Sequence, residues 1–228
     1  MRYLINIHST IYRRMSMSKT SIFQGISASE KQALLLCFQP QQRTYAAGET
    51  ILTYTPASQR LGILLSGSAT LFCIDADGQQ TTLELLAEND VFGEVFLLPT
   101  GRMAYYVEAH ERASALLIDR RRLTQRCEKA CPHHSLFLSN LLQIAASKAQ
   151  AQAIHINILS QRSVRKRLLA YFDILSQQSR GTVCLLPMSY SALAEYICAD
   201  RSAMMRELRK MREEHLIETE GRTVRLCR

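Results

Sequence analysis

The sequence predicts an α+β protein: an N-terminal antiparallel β-roll of the double-stranded β-helix type, a long helix, and a C-terminal winged helix-turn-helix. Short apolar segments alternate with turns that contain Gly and Asp through residues 43–119, which is typical of a closed antiparallel roll. A long helical pattern then follows Pro132, and two short amphipathic helices and a hairpin come after it. The 228 residues, 47% hydrophobic and 21% charged, suffice for one large or two modest domains.

Residues 1–17 form an N-terminal extension ahead of the first helical pattern. Their apolar run is too short for a signal peptide, and no run in the chain approaches the roughly 20 residues of a membrane-spanning helix. We interpret the extension as a disordered arm, or as the product of a start codon placed too early. Met15 and Met17 are the alternative starts.

The roll region begins with a helix and continues as short strands. Ser27 is followed three residues later by Glu30, a capping box that predicts a helix ending at Phe38. Residues 75–78, Asp-Ala-Asp-Gly, predict a hairpin turn. The predicted strands are residues 43–45, 49–52, 61–65, 69–74, 81–86, 103–109 and 114–119, and a short helix is predicted over residues 120–128.

The long helix is predicted from Pro132 to about residue 160, since proline suits the first helical position. Two apolar stripes run along it. The first alternates spacings of four and three around one polar member, Gln152, as in a two-stranded coiled coil. We assign this stripe to a dimer seam: Leu138, Leu142, Ala145, Ala149, Ile156 and Leu159. The second is expected to pack on the protein's own roll: Phe137, Leu141, Ile144, Ala151 and Ile158. The alternative is a helix that is simply buried.

Two short helices with a tight turn between them occupy residues 189–211. Ser189 and Asp200 are placed to cap them, and Met204 and Leu208 give the second helix an apolar side. A hairpin with glycine at its turn follows at residues 216–226. A winged helix-turn-helix of this kind places its second helix in the DNA major groove; a plain helical hairpin is the alternative. The candidate DNA-binding residues are Ser189, Ser191, Arg201, Ser202, Arg206, Lys210 and Arg222.

Charge and cysteine usage narrow the function class. The net charge of +8 favours a polyanionic partner. The seven cysteines are scattered without a CxxC pair, which is typical of reduced thiols in a cytoplasm. No nucleophile–base motif and no Gly-rich phosphate loop is present, so we do not expect an enzyme. One local group could hold a metal or respond to oxidation, although buried packing is the stronger interpretation: Cys127, Cys131, His133 and His134.

Four segments carry a resemblance to a known family. They are IFQGISASEKQALL at residues 22–35, YAAGETIL at 45–52, LLSGSATLF at 64–72 and DVFGEVFLL at 90–98. In this order, and followed by a winged helix, they resemble the Crp/Fnr family of bacterial transcription regulators. The resemblance implies an effector-sensing roll (residues 18–131), a dimerisation helix (132–160) and a DNA-binding domain (163–228). It further implies a cytoplasmic homodimer that reads a palindromic site in double-stranded DNA and works with RNA polymerase.

The resemblance also addresses the effector. In cyclic-nucleotide-binding members, Gly-Glu of an FGE motif meets the ribose and phosphate, and a later Arg-Ser pair neutralises the phosphate. Gly93 and Glu94 match the first pair, but Met103 and Ala104 stand at the Arg-Ser positions, and the nearest arginine is Arg102. A buried phosphate without a cation is costly, so we expect that cyclic AMP is not the effector.

We place the effector pocket between the roll and the long helix, at Gly93, Glu94, Arg102, Tyr105 and Ile144. Without the phosphate-binding arginine this pocket is expected to be lined mainly by apolar and aromatic groups, which suits haem or a small apolar ligand. Two alternatives remain: a regulator that depends on a cyclic nucleotide after all, and a nucleotide-binding regulatory subunit that does not bind DNA.

The predicted reader helix departs from its relatives at two positions. Ser202 stands where nucleotide-sensing members carry a glutamate, so the operator is expected to differ from the family's best-known half-site. Cys198 stands in the turn where a glycine is usual.

Overall fold

The computed structural model describes residues 21–55, 58–97, 104–124 and 132–227. The expectations for residues 1–17, Arg102, Met103, Cys127 and Cys131 lie outside the described residues. The described chain forms two compact units, residues 21–148 and residues 149–227, and the division falls within the long helix. The domain boundaries proposed from the sequence, at residues 131/132 and 160–163, stay a prediction.

The first unit opens with helix α1 (Ala28–Phe38), whose start is set by the predicted capping box. The Ser27 backbone N–H donates to Glu30 Oε2 at 2.8 Å, and the Glu30 N–H donates to Ser27 Oγ at 3.4 Å. Both contacts satisfy backbone donors that the first helical turn leaves unpaired. Leu34 and Phe38 are buried on the inner face of the helix.

The strands of the roll form two four-stranded sheets in which every neighbouring pair is antiparallel, which confirms the predicted roll. The strand orders are β1-β8-β3-β6 and β2-β7-β4-β5. The strands are β1 (Gln41–Tyr45), β2 (Thr50–Tyr54), β3 (Arg60–Ser66), β4 (Ser68–Ile74), β5 (Gln80–Ala87), β6 (Val91–Phe92), β7 (Tyr105–Ala109) and β8 (Ala113–Asp119).

Two hydrophobic clusters stabilise this unit. Strand β3 contributes to both of them, because successive side chains of a strand point to opposite faces. Leu64 belongs to the cluster that contains Tyr54 and Phe92. Leu61 and Ile63 belong to the cluster that contains side chains of α1 and the long helix. A central strand that is buried on both faces explains why residues 61–65 form a continuous apolar run.

The sequence did not predict β6 or the 3₁₀ helix that follows it at Glu94–Leu97. Strand β6 pairs with β3 through Gly62 and Phe92. The Phe92 ring lies where a Cβ on Gly62 would be, so only glycine permits this approach. Gly93, between β6 and the 3₁₀ helix, has φ +84°, a conformation that favours glycine.

Helix α2 (Arg120–Thr124) and the long helix α3 (Pro132–Leu159) follow the roll. The bounds of α3 confirm the predicted helix. Asn140 is buried within it, and its Nδ2 donates to the carbonyl oxygens of Ile22 at 3.1 Å and Gln24 at 2.9 Å. These bonds attach α3 to the segment that precedes α1. Among the described residues, none of the helices combines the length and the apolar character needed to cross a membrane.

The second unit contains the predicted winged helix-turn-helix. Helix α4 (Val164–Ser179) is followed by β9 (Val183–Leu185), α5 (Tyr190–Tyr196), α6 (Arg201–Glu213), β10 (Ile217–Glu220) and β11 (Thr223–Leu226). The three strands form one antiparallel sheet in the order β10-β11-β9. The side chains of Ser189 and Asp200 cap α5 and α6 as predicted, accepting from the backbone N–H of Ala192 and Ala203.

Candidate DNA-binding surface and effector site

Helix α6 is strongly amphipathic. Met204, Leu208 and Met211 are buried on one side. The other sides expose basic and polar groups, namely Arg201, Ser202, Arg206, Arg209 and Lys210. Within the described chain, Arg201, Arg206 and Lys210 form no ion pair. A helix that is fixed by one apolar face and presents uncompensated arginines can place them on base edges or phosphates.

Arg165 of α4 fixes the position of α6 along its flank. Its Nε donates to Glu207 Oε1 at 2.5 Å. Its Nη1 and Nη2 donate to the two oxygens of Glu214 at 2.6 and 2.8 Å, a bidentate pair that lowers the pKa of that carboxylate. Both carboxylates are thereby paired with an arginine of the same unit. The role of Arg165 was not predictable from the sequence, because its two acceptors lie 42 and 49 residues further along the chain.

The turn between α5 and α6 is held by a second arginine. Arg167 Nη1 donates to the carbonyl oxygens of Ile197 at 3.0 Å and Cys198 at 3.1 Å, while its Nε donates to Gln161 O at 3.0 Å. A cation at the carboxyl end of α5 also complements the helix dipole. Cys198 has φ +49°, which explains why glycine would be usual here.

The predicted DNA-binding serines are engaged within the unit. Ser202 Oγ donates to Asp200 Oδ1 at 2.6 Å, and Ser189 Oγ accepts from the Ala192 N–H at 3.2 Å. The bonds from Ser202 and from the Ala203 N–H lower the pKa of Asp200. Ser202 can still accept a hydrogen bond, but its proton is committed to the helix cap. Ser191 is half-buried on α5.

Arg206 and Lys210 line a groove of about 520 Å³ between α6 and the start of α4, where Ser163 caps α4. Arg222 is exposed at the turn of the β10–β11 hairpin, beside Gly221. The Tyr190 hydroxyl donates to Gly221 O at 3.0 Å and so fixes that turn against α5. The structure therefore presents Arg201, Arg206, Lys210 and Arg222 on the exposed surface of one compact unit.

The two apolar stripes of α3 differ in burial. Leu142 and Ile156 of the proposed seam are 70% and 67% exposed, and Leu138 and Ala149 are exposed as well. Ala145 and Leu159 are partly buried. The second stripe is buried at Phe137, Leu141, Ala151 and Ile158, and partly buried at Ile144. The helix is thus not simply buried, since one apolar stripe remains open.

Glu94, the second residue of the matched Gly-Glu pair, faces a lysine of the long helix. Lys148 Nζ lies 3.0 Å from Glu94 Oε1 and 2.8 Å from Glu84 Oε1 on β5. The same ammonium donates to Val91 O at 2.8 Å. Burial, with the neighbouring Glu94 carboxylate adding to it, raises the pKa of Glu84 to about 7, although Lys148 opposes this shift. Burial alone would lower the pKa of Lys148, but the two carboxylates together outweigh burial, raise this pKa and keep the ammonium charged.

Three aromatic rings fill the adjoining interior of the roll. The ring centroids of Tyr54 and Phe96 are 4.5 Å apart. Those of Phe96 and Tyr105 are also 4.5 Å apart. The Tyr54 hydroxyl lies where a Cβ on Gly93 would be, so Gly93 is required by close packing as well as by its φ. Neither the Tyr54 hydroxyl nor Glu94 Oε2 has a hydrogen-bond partner within the described chain, although both are buried.

Two domain-family models match separate parts of the chain. The cyclic nucleotide-binding domain matches residues 42–130, and the Crp-like helix-turn-helix domain matches residues 166–228. The cyclic AMP receptor protein of Thermus thermophilus is 26% identical over 208 residues, which cover 91% of this chain and 93% of that protein. The global nitrogen regulator of Nostoc sp. is 25% identical over 185 residues, covering 79% and 82% respectively.

Solved structures share the architecture. The catabolite activator protein of Thermus thermophilus matches with a TM-score of 0.53 at 25% identity, over 90% of this chain and 93% of that one. The chain belongs to the Crp/Fnr family. CprK in complex with OCPA has the same fold at 17% identity, with a TM-score of 0.61 over 86% of this chain and 92% of that one. Crp/Fnr members are effector-responsive transcription regulators that bind DNA through the helix-turn-helix; they are not enzymes.

The predicted effector pocket of this Crp/Fnr protein is only partly assembled. Gly93, Glu94 and Tyr105 lie in or beside the aromatic interior, whereas Ile144 packs against the other cluster, with α1 and β8. A pocket lined mainly by apolar and aromatic groups was expected, and two carboxylates and an ammonium also lie at this corner. The hypothesis that haem or a small apolar ligand binds here stays a prediction. Glu84 and Lys148 were not predicted to belong to this site. A lone charge on a helix face resembles a solvated residue, so no local signal distinguishes it.

The histidines beside the start of α3 have packing roles. The His134 ring contacts Phe38 edge-on at 4.9 Å between centroids, and burial, reinforced by His133, lowers the pKa of His134. The rings of His133 and His134 are 5.6 Å apart. No group of three or more His, Cys, Asp or Glu side chains that could hold a metal occurs among the described residues. Because Cys127 and Cys131 lie outside them, the metal or redox hypothesis stays a prediction.

Proposed function

We propose that this Crp/Fnr regulator acts as a homodimer on a palindromic operator, with α6 of each subunit in the major groove. The observation that carries the proposal is the exposed basic side of α6. Arg201, Arg206 and Lys210 form no ion pair within the described chain, while the acidic Glu207 and Glu214 are engaged by Arg165. We assign Arg201 and Arg206 to base edges, because arginine binds guanine edges bidentately. We assign Lys210 and Arg222 to phosphate contacts.

The open stripe of α3 supports the homodimer. Leu142 and Ile156 are large apolar side chains that are mostly exposed, and they share the four-three spacing of a coiled-coil seam. A contiguous apolar stripe on a helix is unfavourable in water and favours association. A twofold dimer of this kind presents two copies of α6, which accounts for a palindromic operator.

The charge of the roll interior supports an effector other than cyclic AMP. Glu84 and Glu94 carry two negative charges when ionised, against the single ammonium of Lys148. A cyclic phosphate placed near this corner would find the ammonium of Lys148 already engaged by two glutamates, so its binding is disfavoured. From the family resemblance we also propose RNA polymerase as a protein partner and the cytoplasm as the place of action.

Retention of genomic fragments tests the DNA-binding proposal. Purified protein is mixed with a fragment pool and an excess of non-specific DNA, and bound fragments are separated by native electrophoresis. We expect a small subset to be retained by the wild type and released when both Arg201 and Arg206 are replaced by alanine. Retention of all fragments alike, or of none, would contradict sequence-specific binding and favour a regulatory subunit that does not bind DNA. Repeating the assay with cyclic AMP, hemin or cell extract shows whether each alters retention.

A further inference from the structure

The ammonium of Lys148 has all three of its hydrogen-bond positions filled by the roll. Glu84 offers both oxygens, at 2.8 and 3.0 Å from Nζ. Glu94 Oε1 lies at 3.0 Å and Val91 O at 2.8 Å. An ammonium group has three donors and no acceptor, so carboxylate and carbonyl oxygens at these distances match its requirements.

The corner is built into the fold and does not depend on a flexible surface contact. The Glu94 side chain is 5% exposed, and the Glu84 and Lys148 side chains are only about a quarter exposed. Glu94 follows Gly93 at the start of the 3₁₀ helix, and Val91 lies on β6, so the turn between them sets two of the acceptors. Glu94 Oε2 remains without a hydrogen-bond partner among the described residues, so the corner has spare acceptor capacity.

We propose that this corner is a binding site for a primary ammonium group and that Lys148 is its resident ligand, supplied by the chain itself. Lys148 thereby joins the long helix to the roll without a small molecule. The consequence for regulation rests on the proposed function: DNA binding depends on an ammonium in this corner, whether it is tethered or free. Larger or anionic compounds do not replace it, because the acceptors match a small cation with three N–H donors.

Chemical rescue tests this assignment. Lys148→Ala removes three carbons and the ammonium, which are the atoms of propylammonium. We expect the melting temperature to fall by on the order of 5–10 °C, because two carboxylates lose their cation. Millimolar propylammonium should restore most of this loss and shift the wild type little. Propanol, which lacks the charge, and tetramethylammonium, which lacks N–H donors, should not restore it.

Two further variants test whether the rescue by propylammonium is specific to this corner. In a Lys148→Ala, Glu84→Gln double variant the rescue should be largely lost, because one acceptor carboxylate is gone. In Lys166→Ala, which truncates an exposed lysine, propylammonium should have no effect. Equal stabilisation by all three compounds, or by propylammonium in every variant, would contradict the proposed ammonium site.

If Lys148→Ala does not fold, Lys148→Met serves instead. The loss of stability that Lys148→Met causes should shrink when Glu84 and Glu94 are both replaced by glutamine. An unchanged loss would contradict the proposed ammonium site.

DNA binding provides the second readout. Propylammonium should restore operator affinity to Lys148→Ala, in parallel with the melting temperature. If the wild type binds no specific DNA, the proposed function fails while the thermal rescue can still stand. If the wild type binds its operator and Lys148→Ala binds it equally well without propylammonium, the regulatory consequence is wrong. If neither stability nor binding responds to propylammonium in a folded Lys148→Ala, the ammonium site itself is wrong.

Discussion

The imidazole of His155 stacks on the phenol ring of Tyr196, with centroids 4.1 Å apart and planes 13° apart. His155 Nε2 also lies 2.7 Å from the carbonyl oxygen of Tyr196, so it must carry the proton and donate. Tyr196 is the last residue of α5, immediately before the turn that leads to α6. The carboxyl-terminal part of α3 therefore holds the helix-turn-helix by a ring face and a hydrogen bond at once.

Replacing His155 should separate these two contributions. His155→Ala loses both the stacking and the hydrogen bond, so we expect the free energy of unfolding to fall by about 1–3 kcal/mol. His155→Phe keeps an aromatic ring and should recover part of that loss. Urea unfolding followed by circular dichroism measures both values. Equal losses in the two variants would mean that stacking contributes nothing.

The seam assignment predicts the effect of a charge on the open stripe of α3. Leu142→Asp should convert the dimer to a monomer, because the interface would bury an unpaired carboxylate. Leu36 on α1 is also an exposed leucine, 78% against 70% for Leu142, so Leu36→Asp is a matched control. Sedimentation velocity should show a monomer only for Leu142→Asp. A dimer that survives this substitution would place the interface elsewhere.

The raised pKa of Glu84 predicts that stability depends on pH. A carboxyl whose pKa rises from 4.5 to about 7 on folding favours its protonated form in the folded state. This preference stabilises the folded state fully below pH 4.5, and the stabilisation is lost as pH rises through about 7. The free energy of unfolding should therefore fall by about 1 kcal/mol between pH 6 and pH 8. Glu94, Asp90 and Lys148 are the charged groups that act on Glu84. Lys148, with its raised pKa, stays charged over this range.

The test is the free energy of unfolding of the wild type and of Glu84→Gln at both pH values. We expect the decrease between pH 6 and pH 8 to disappear in Glu84→Gln. The decrease should persist in Glu220→Gln, which removes an exposed carboxylate of the β10–β11 hairpin. An identical decrease in all three proteins would assign it to another group.

The basic residues of α6 should act in two different ways. Arg206→Ala should cost about 1–3 kcal/mol of operator binding and relax the preference at one operator position, because it removes a base contact. Lys210→Ala should weaken binding evenly across sequences and reduce the dependence of affinity on salt, because it removes a phosphate contact. Mobility shifts over a series of salt concentrations separate these outcomes, with Arg112→Ala on the roll as the control. Unchanged specificity in Arg206→Ala would remove this residue from the reader.

The local parts of the structure were predictable from the sequence. The caps at Ser27, Ser189 and Asp200 each bond a backbone N–H three residues ahead, so their residue types alone indicate the helix starts. The two stripes of α3 were predictable because burial follows the helical period. The roll was predictable from the spacing of its strands and turns, although two-residue β6 is too short to show any period.

The long-range charge pairs were not predictable. Lys148 and Glu84 are 64 residues apart in the chain, and Arg165 and Glu207 are 42 residues apart. Each pair depends on how separate elements pack, and a charged side chain in an amphipathic segment is usually solvated. The predicted pocket was for this reason expected to be mainly apolar and aromatic, and the ion pairs of Lys148 with Glu84 and Glu94 were not foreseen.

Sequencing the DNA that the purified protein selects from genomic fragments tests whether it reads a palindromic operator as a homodimer. We expect one enriched motif made of two inverted half-sites, about one helical turn apart between centres. Arg206→Ala should lose the preference at one position in each half-site, symmetrically about the centre. A single half-site, or no enriched motif for the wild type, would contradict a homodimeric regulator that reads a palindrome through α6.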